Sequence, residues 1–154
     1  VCSTYLLYRA LKRIGAEVDY EIPDRIKDGY GINELIIEAA AEDGIDTILT
    51  CDNGIAAIDE IAWAKAQKMT VLVTDHHAVP FEEHEGRRTE KKSLADAVVN
   101  PHQQDCGYPY KELCGAGVAL MQDPTWSRDF ARAASAALAK PIVRVDVPGM
   151  AVTF

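Results

Sequence analysis

Asp75-His76-His77 sets a carboxylate and two imidazoles on consecutive residues, directly after the apolar run Thr70-Val71-Leu72-Val73-Thr74. Asp52 directly follows another such run, Thr47-Ile48-Leu49-Thr50-Cys51. Imidazole nitrogen with carboxylate oxygen suits Mn²⁺, Zn²⁺ or Fe²⁺, and carboxylates from neighbouring strand ends can converge on one or two ions. The competing reading makes Asp75 a cap for the segment that follows and the histidines ordinary polar loop residues. Gly54 permits close backbone approach at Asp52, and it reads equally well as a simple turn glycine.

The elements that must position these residues follow from hydrophobic spacing. Leu7, Ala10, Leu11 and Ile14 recur at three- and four-residue intervals and predict an opening helix, which Gly15 ends in the left-handed conformation. Residues 17–22 alternate polar and apolar as a strand does. Asn33 is a good cap for a helix through Leu35, Ile36 and Ala39-Ala40-Ala41, which stops at Gly44. The run 47–51 has the form of a strand covered on both faces, as does 70–74, and Ala97-Val98-Val99 makes a fourth strand. Between the two runs, residues 56–68 predict a helix with Ile58, Ile61, Ala62 and Ala66 on one face.

Strands alternating with helices imply βαβ crossovers, so the expected class is α/β: a Rossmann-like parallel sheet with helices on both faces. In such sheets chemistry gathers beyond the carboxyl ends of the strands. The three exits are polar: Asp52-Asn53-Gly54, Asp75-His76-His77 and Asn100-Pro101-His102. Gly115 and Gly117 fall at an expected helix start, where free backbone N–H groups can hold a phosphate. Close helix packing accounts for small residues there equally well. Residues 81–93 are mixed in charge and read as a solvated loop, Trp63 reads as core, and Cys51 and Cys114 as buried thiols.

The 154 residues are enough for a real core, and 48% hydrophobic with 26% charged residues excludes disorder and fibrous repeats. No apolar run approaches the roughly 18–20 residues that span a bilayer, and the first residues do not form a signal peptide. A cytoplasmic protein with reduced thiols and no membrane partner is expected, since the four cysteines form neither a zinc pair nor a dense disulfide pattern. A net charge of −8 offers no global basic surface, so any polyanion must be held locally. Residues 122–154 are alanine-rich and slightly basic, which divides the chain into a main domain, 1–121, and a divergent tail, 122–154. A helical opening on Val1 predicts that a segment precedes it in a parent protein.

The chain resembles the DHH phosphoesterase superfamily and, within it, the RecJ-like single-strand-specific exonucleases. The triplet Asp75-His76-His77 carries the superfamily likeness. Three further blocks narrow it: 22–25 with 28–33, then 50–55, then Asn100-Pro101 with Cys106-Gly107-Tyr108-Pro109 and 113–119. The likeness covers roughly residues 1–121 and implies an enzyme that hydrolyses phosphodiesters of single-stranded DNA from the 5′ end with two Mn²⁺ or Mg²⁺ ions. DNA repair or replication proteins would be its partners. On this resemblance Asp52 is the carboxylate shared by both ions, His76 a direct ligand, and Asp75 a ligand or an anchor that fixes the histidine tautomer. His77, with Asp75, would serve catalysis by meeting the scissile phosphate, while Arg25 and Tyr30 would contact phosphate and base on a substrate-binding loop.

Two departures bear on activity. The family's Asp-x-Asp motif would fall just before Val1, and its later aspartate has only Asp146, in Val145-Asp146-Val147-Pro148, as a candidate stand-in. The chain is therefore expected to be an incomplete catalytic core. Two alternatives stay open: a DHH-family hydrolase of short oligonucleotides, cyclic dinucleotides or polyphosphate, and a non-catalytic DHH-fold interaction module.

Overall fold

The computed structural model describes residues 1–13, 15–23, 31–120 and 142–146, with Leu120 and 142–146 described by their backbone. Helix α1 (Cys2–Arg13) leads through Gly15, at φ 86°, into strand β1 (Glu17–Glu21). Asn33 caps α2 (Glu34–Glu42) by accepting a 3.0 Å hydrogen bond from the Ile36 N–H, which satisfies one of the free donors of the first turn. Strand β2 (Thr47–Cys51) is buried along its whole length, α3 (Ile58–Ala66) crosses back, and β3 (Thr70–Thr74) lies beside β2. Then come β4 (Phe81–His84), β5 (Arg87–Glu90), β6 (Ala97–Val99), α4 (Gly115–Leu120) and β7 (Ile142–Asp146).

Five strands form one parallel sheet in the order β1-β7-β2-β3-β6, and β4 and β5 form a separate antiparallel hairpin. Side-chain parity divides the core in two. On one face Ile48, Val71 and Val73 pack with Ile37 and Ala40 of α2 and Ile61 and Ala64 of α3. On the other, Val18, Leu49, Cys51, Leu72 and Ala97 pack with Leu7, Tyr8 and Leu11 of α1. The expected α/β sheet covered on both faces is thus observed.

The details differ in four places. Residues 81–93 contain the hairpin β4–β5 rather than a plain loop, turning at Glu85 and Gly86, both at positive φ. Its strand residues are almost all exposed, so this ribbon is solvated as its charges require. Helix α3 spans 58–66 rather than 56–68 and buries Ile61 and Ala64, while Ala66 is exposed. Trp63 is 39% exposed rather than core, and Cys114 is exposed, whereas Cys51 is fully buried. Within the tail, β7 lies between β1 and β2, with Asp146 in register with Glu21 and Thr50 at the carboxyl end of the sheet. The candidate helix of the tail lies outside the described residues, as do Arg25 and Tyr30.

Candidate metal centre at the strand exits

The carboxyl ends of β2, β3 and β6 are stapled together beyond their regular pairing. The Asp52 N–H donates to the Thr74 carbonyl at 2.9 Å and the Asp75 N–H to the Val99 carbonyl at 3.0 Å. The Thr74 hydroxyl donates to the Thr50 carbonyl at 2.8 Å, and the Thr50 hydroxyl to the Asn53 carbonyl at 2.8 Å. Asp52 sits in the left-handed region at φ 66°, a conformation that aspartate tolerates better than most residues. Gly54 follows at φ 104°, and a Cβ there would lie 2.5 Å from Thr50 Oγ1. Only glycine fits: its φ makes the turn, and its close neighbour is the Thr50 side chain rather than the backbone at Asp52.

This turn delivers Asp52 to His76. Asp52 Oδ1 lies 2.9 Å from His76 Nε2, both side chains being about 30% exposed. That oxygen is nevertheless shielded from solvent and receives no properly directed hydrogen bond. A buried carboxylate oxygen without a donor is costly, whereas two ligand atoms about 3 Å apart match neighbouring positions around an octahedral ion with bonds near 2.1 Å. The His77 ring lies beside this pair, with one ligand atom from each of Asp52, His76 and His77 within 4.8 Å of the others. A carboxylate and imidazoles are donors suited to manganese, so these residues fit a divalent ion.

Asp75 is turned away from this group. Its side chain is 1% exposed and both oxygens have partners: Oδ1 accepts the N–H groups of His76 at 2.7 Å and His77 at 3.2 Å and lies 2.6 Å from His77 Nδ1. Oδ2 accepts the Ile55 N–H at 2.9 Å. Asp75 therefore ties the turn after β3 to the turn after β2, and the imidazole it orients is His77, not His76. His77 is 60% exposed at the cleft mouth, and its ring lies 4.6 Å from that of His76.

Sequence reasoning placed Asn100 at a polar strand exit without giving it a role, and it missed Glu60. Asn100, fully buried at the exit of β6, donates from Nδ2 to the His77 carbonyl at 2.9 Å and accepts from the His102 N–H at 2.8 Å. A buried asparagine after an apolar strand was the available signal. Glu60 of α3 brings another carboxylate to the wall of the cleft, which encloses about 600 Å³ around Asp52, Asn53, Gly54, Ile55 and the triplet. The two glycines have packing roles. Gly115 abuts the Asp52 carboxylate, and a Cβ on Gly117 would meet Leu113 at 3.1 Å.

Parallel strands that end in a convergent carboxylate and two imidazoles define an α/β domain with a candidate metal centre at its strand exits. The family model described as "DHH family, N-terminal domain" matches residues 1–139, and the chain belongs to this family. It is 42% identical over 119 residues to the single-stranded-DNA-specific exonuclease RecJ of Haemophilus influenzae, covering 77% of this chain and 19% of that protein. It is also 42% identical over 120 residues to RecJ of Bacillus subtilis, covering 78% of this chain and 14% of that protein. The crystal structure of exonuclease RecJ bound to manganese superimposes with a TM-score of 0.59 at 32% identity, covering 77% of this chain and 27% of that one. The chain thus spans about a fifth or less of the length of these curated relatives. Among the described residues no helix is long and apolar enough to cross a membrane.

Proposed function

We propose that this chain forms the metal-holding and phosphate-facing part of a 5′-to-3′ exonuclease specific for single-stranded DNA. The observation that carries the reading is the unpartnered Asp52 Oδ1 beside His76 Nε2, on a chain 42% identical to proteins named single-stranded-DNA-specific exonucleases. Asp52 and His76 would hold the ion, manganese or magnesium, which would supply Lewis-acid charge for activating water and offsetting charge on the phosphodiester. His77, its Nδ1 held by Asp75, has its other ring nitrogen left for a non-bridging phosphate oxygen. Asp75 is a positioning residue, because both of its oxygens accept hydrogen bonds from the turns that carry the site. Arg25 and Tyr30 would contact phosphate and base.

The test is a chimera in which residues 1–120 replace the matching segment of the Bacillus subtilis relative. Release of 5′ mononucleotides from long single strands in millimolar Mn²⁺, absent on duplex and lost on chelation or with Asp52→Asn, is expected. A folded chimera that cleaves only dinucleotides or polyphosphate would move the assignment to a small-substrate phosphohydrolase. A folded chimera that binds single strands and cleaves nothing would make this an interaction module.

A further inference from the structure

Away from the metal centre, α1 and the edge strand β1 enclose a groove of about 320 Å³ lined by Val1, Thr4, Tyr5, Tyr8, Tyr20 and Ile22. Tyr5 is 57% exposed and Tyr20 49%, an unusual amount of ring surface on one small face. Tyr8 meets Tyr20 edge to face at 5.5 Å, which fixes the orientation of the wall. Two cations lie over ring faces: Arg9 Cζ is 5.6 Å from the Tyr5 centroid, with Nη1 donating to the Tyr5 hydroxyl at 3.3 Å, and Lys12 Nζ is 5.6 Å from the Tyr8 centroid. The acids of β1 lie elsewhere. Val18 packs under α1, so by strand parity Tyr20 shares its face while Glu17, Asp19 and Glu21 occupy the opposite one. In a chain of net charge −8, this face therefore sets exposed aromatic rings beside positive charge.

We propose that this groove is a track for single-stranded nucleic acid, stacking bases on Tyr5 and Tyr20 and pairing phosphates with Arg9 and Lys12. The inference rests on the exonuclease reading and extends it to where the strand lies beyond the reacting phosphate. Exposed π-faces flanked by cations are the general means of holding single strands without regard to sequence. The floor of the groove also touches the strand that carries Asp52. Thr4, on its floor, has its hydroxyl 3.8 Å from Cys51 Sγ, and Cys51 immediately precedes Asp52. A second copy of the chain is a poorer occupant, because pairing through edge strand β1 would bring the Glu17, Asp19 and Glu21 row against itself.

The test is binding of a fluorescent twelve-residue oligothymidylate to the 154-residue chain in EDTA, so that no hydrolysis is needed to read it. Tyr5→Ala with Tyr20→Ala should weaken binding about tenfold, and Tyr5→Phe with Tyr20→Phe should restore it, because a phenyl ring stacks as well. An oligonucleotide carrying 5-iododeoxyuridine should cross-link to Tyr5 or Tyr20 on irradiation. Unchanged affinity in the folded alanine variant, or cross-links confined to other residues, would overturn the track. Loss of self-association in that variant with unchanged DNA binding would overturn it too, and assign the groove to a second copy. Failure of the chimera to cleave, with oligothymidylate binding intact, would sink the exonuclease reading and leave the track standing.

Discussion

Gly115, the first residue of α4, packs against the carboxylate of Asp52: a Cβ at Gly115 would lie 2.6 Å from Asp52 Cγ and closer still to Oδ1. Asp52 Cβ would itself lie 2.8 Å away on a turn stapled to β3, so the contact displaces the whole Asp52 side chain and not its tip alone. Gly115→Ala should therefore rotate Asp52 away from His76 while the hydrophobic core, which Gly115 does not enter, stays intact. We expect Mn²⁺ affinity to fall roughly 10–100-fold, the range seen when a ligand loses its orientation, with the far-ultraviolet spectrum unchanged. Titration with Mn²⁺ followed by paramagnetic resonance measures it, and wild-type affinity in the variant would refute the positioning role.

Asp75 is judged by its donors. Three backbone N–H groups and the His77 ring converge on one buried carboxylate, so Asp75→Asn must aim an amide N–H at one of them. Oδ1 has the most to lose, which turns the amide nitrogen toward the Ile55 N–H. A buried donor facing a donor costs about 1–3 kcal/mol. Urea unfolding of the variant should show that loss with an unchanged slope. If stability is unaltered and only metal affinity falls, Asp75 is a ligand rather than an anchor.

How much of this was legible in the sequence depends on the range of the interaction. The strands β2 and β3 were readable because an unbroken apolar run has no place but a covered sheet, and the Asn33 cap because it acts over three residues. The exits of those strands then located Asp52 and the triplet. The hairpin was hidden because Glu82, Glu83, Arg87 and Arg88 carry no apolar alternation; the turn pair Glu85-Gly86 was its one local mark. Trp63 was misplaced because an alanine-rich helix offers weak contrast between its faces, and the sheet takes up Ile61 and Ala64 instead. Strand order and the contact of Gly115 with Asp52 join residues far apart in the chain, and no local pattern encodes them.

Asn100 separates two supports that a single deletion would confuse. Its Nδ2 holds the His77 carbonyl and its Oδ1 the His102 N–H. Asn100→Ala removes both and should cost about 1–3 kcal/mol in this fully buried position. Asn100→Asp keeps the acceptor for His102 but sets a carboxylate oxygen against the His77 carbonyl. If His77 is the functional partner, the chimera carrying Asn100→Asp should lose as much turnover as the alanine variant, with its KM for single strands little changed. Full turnover in the aspartate variant would place the role of Asn100 in the His102 turn.

Metal binding should be visible as stability before any activity is assayed. An ion that binds only the folded chain, present at 100 times its dissociation constant, stabilises by about 2.7 kcal/mol, or roughly 5–10 °C for a domain of this size. Differential scanning calorimetry with and without Mn²⁺ reads that shift, and EDTA should abolish it. The informative variant is Asp52→Asn rather than Asp52→Ala. Residue 52 has φ 66°, which asparagine adopts readily and alanine does not, so alanine would add backbone strain to the loss of a ligand. With asparagine the turn survives and only the charged oxygen beside His76 is removed. The expected result is a melting temperature in EDTA close to wild type and no rise on adding Mn²⁺. A rise equal to wild type would mean that the ion is held elsewhere, and would remove Asp52 from the centre.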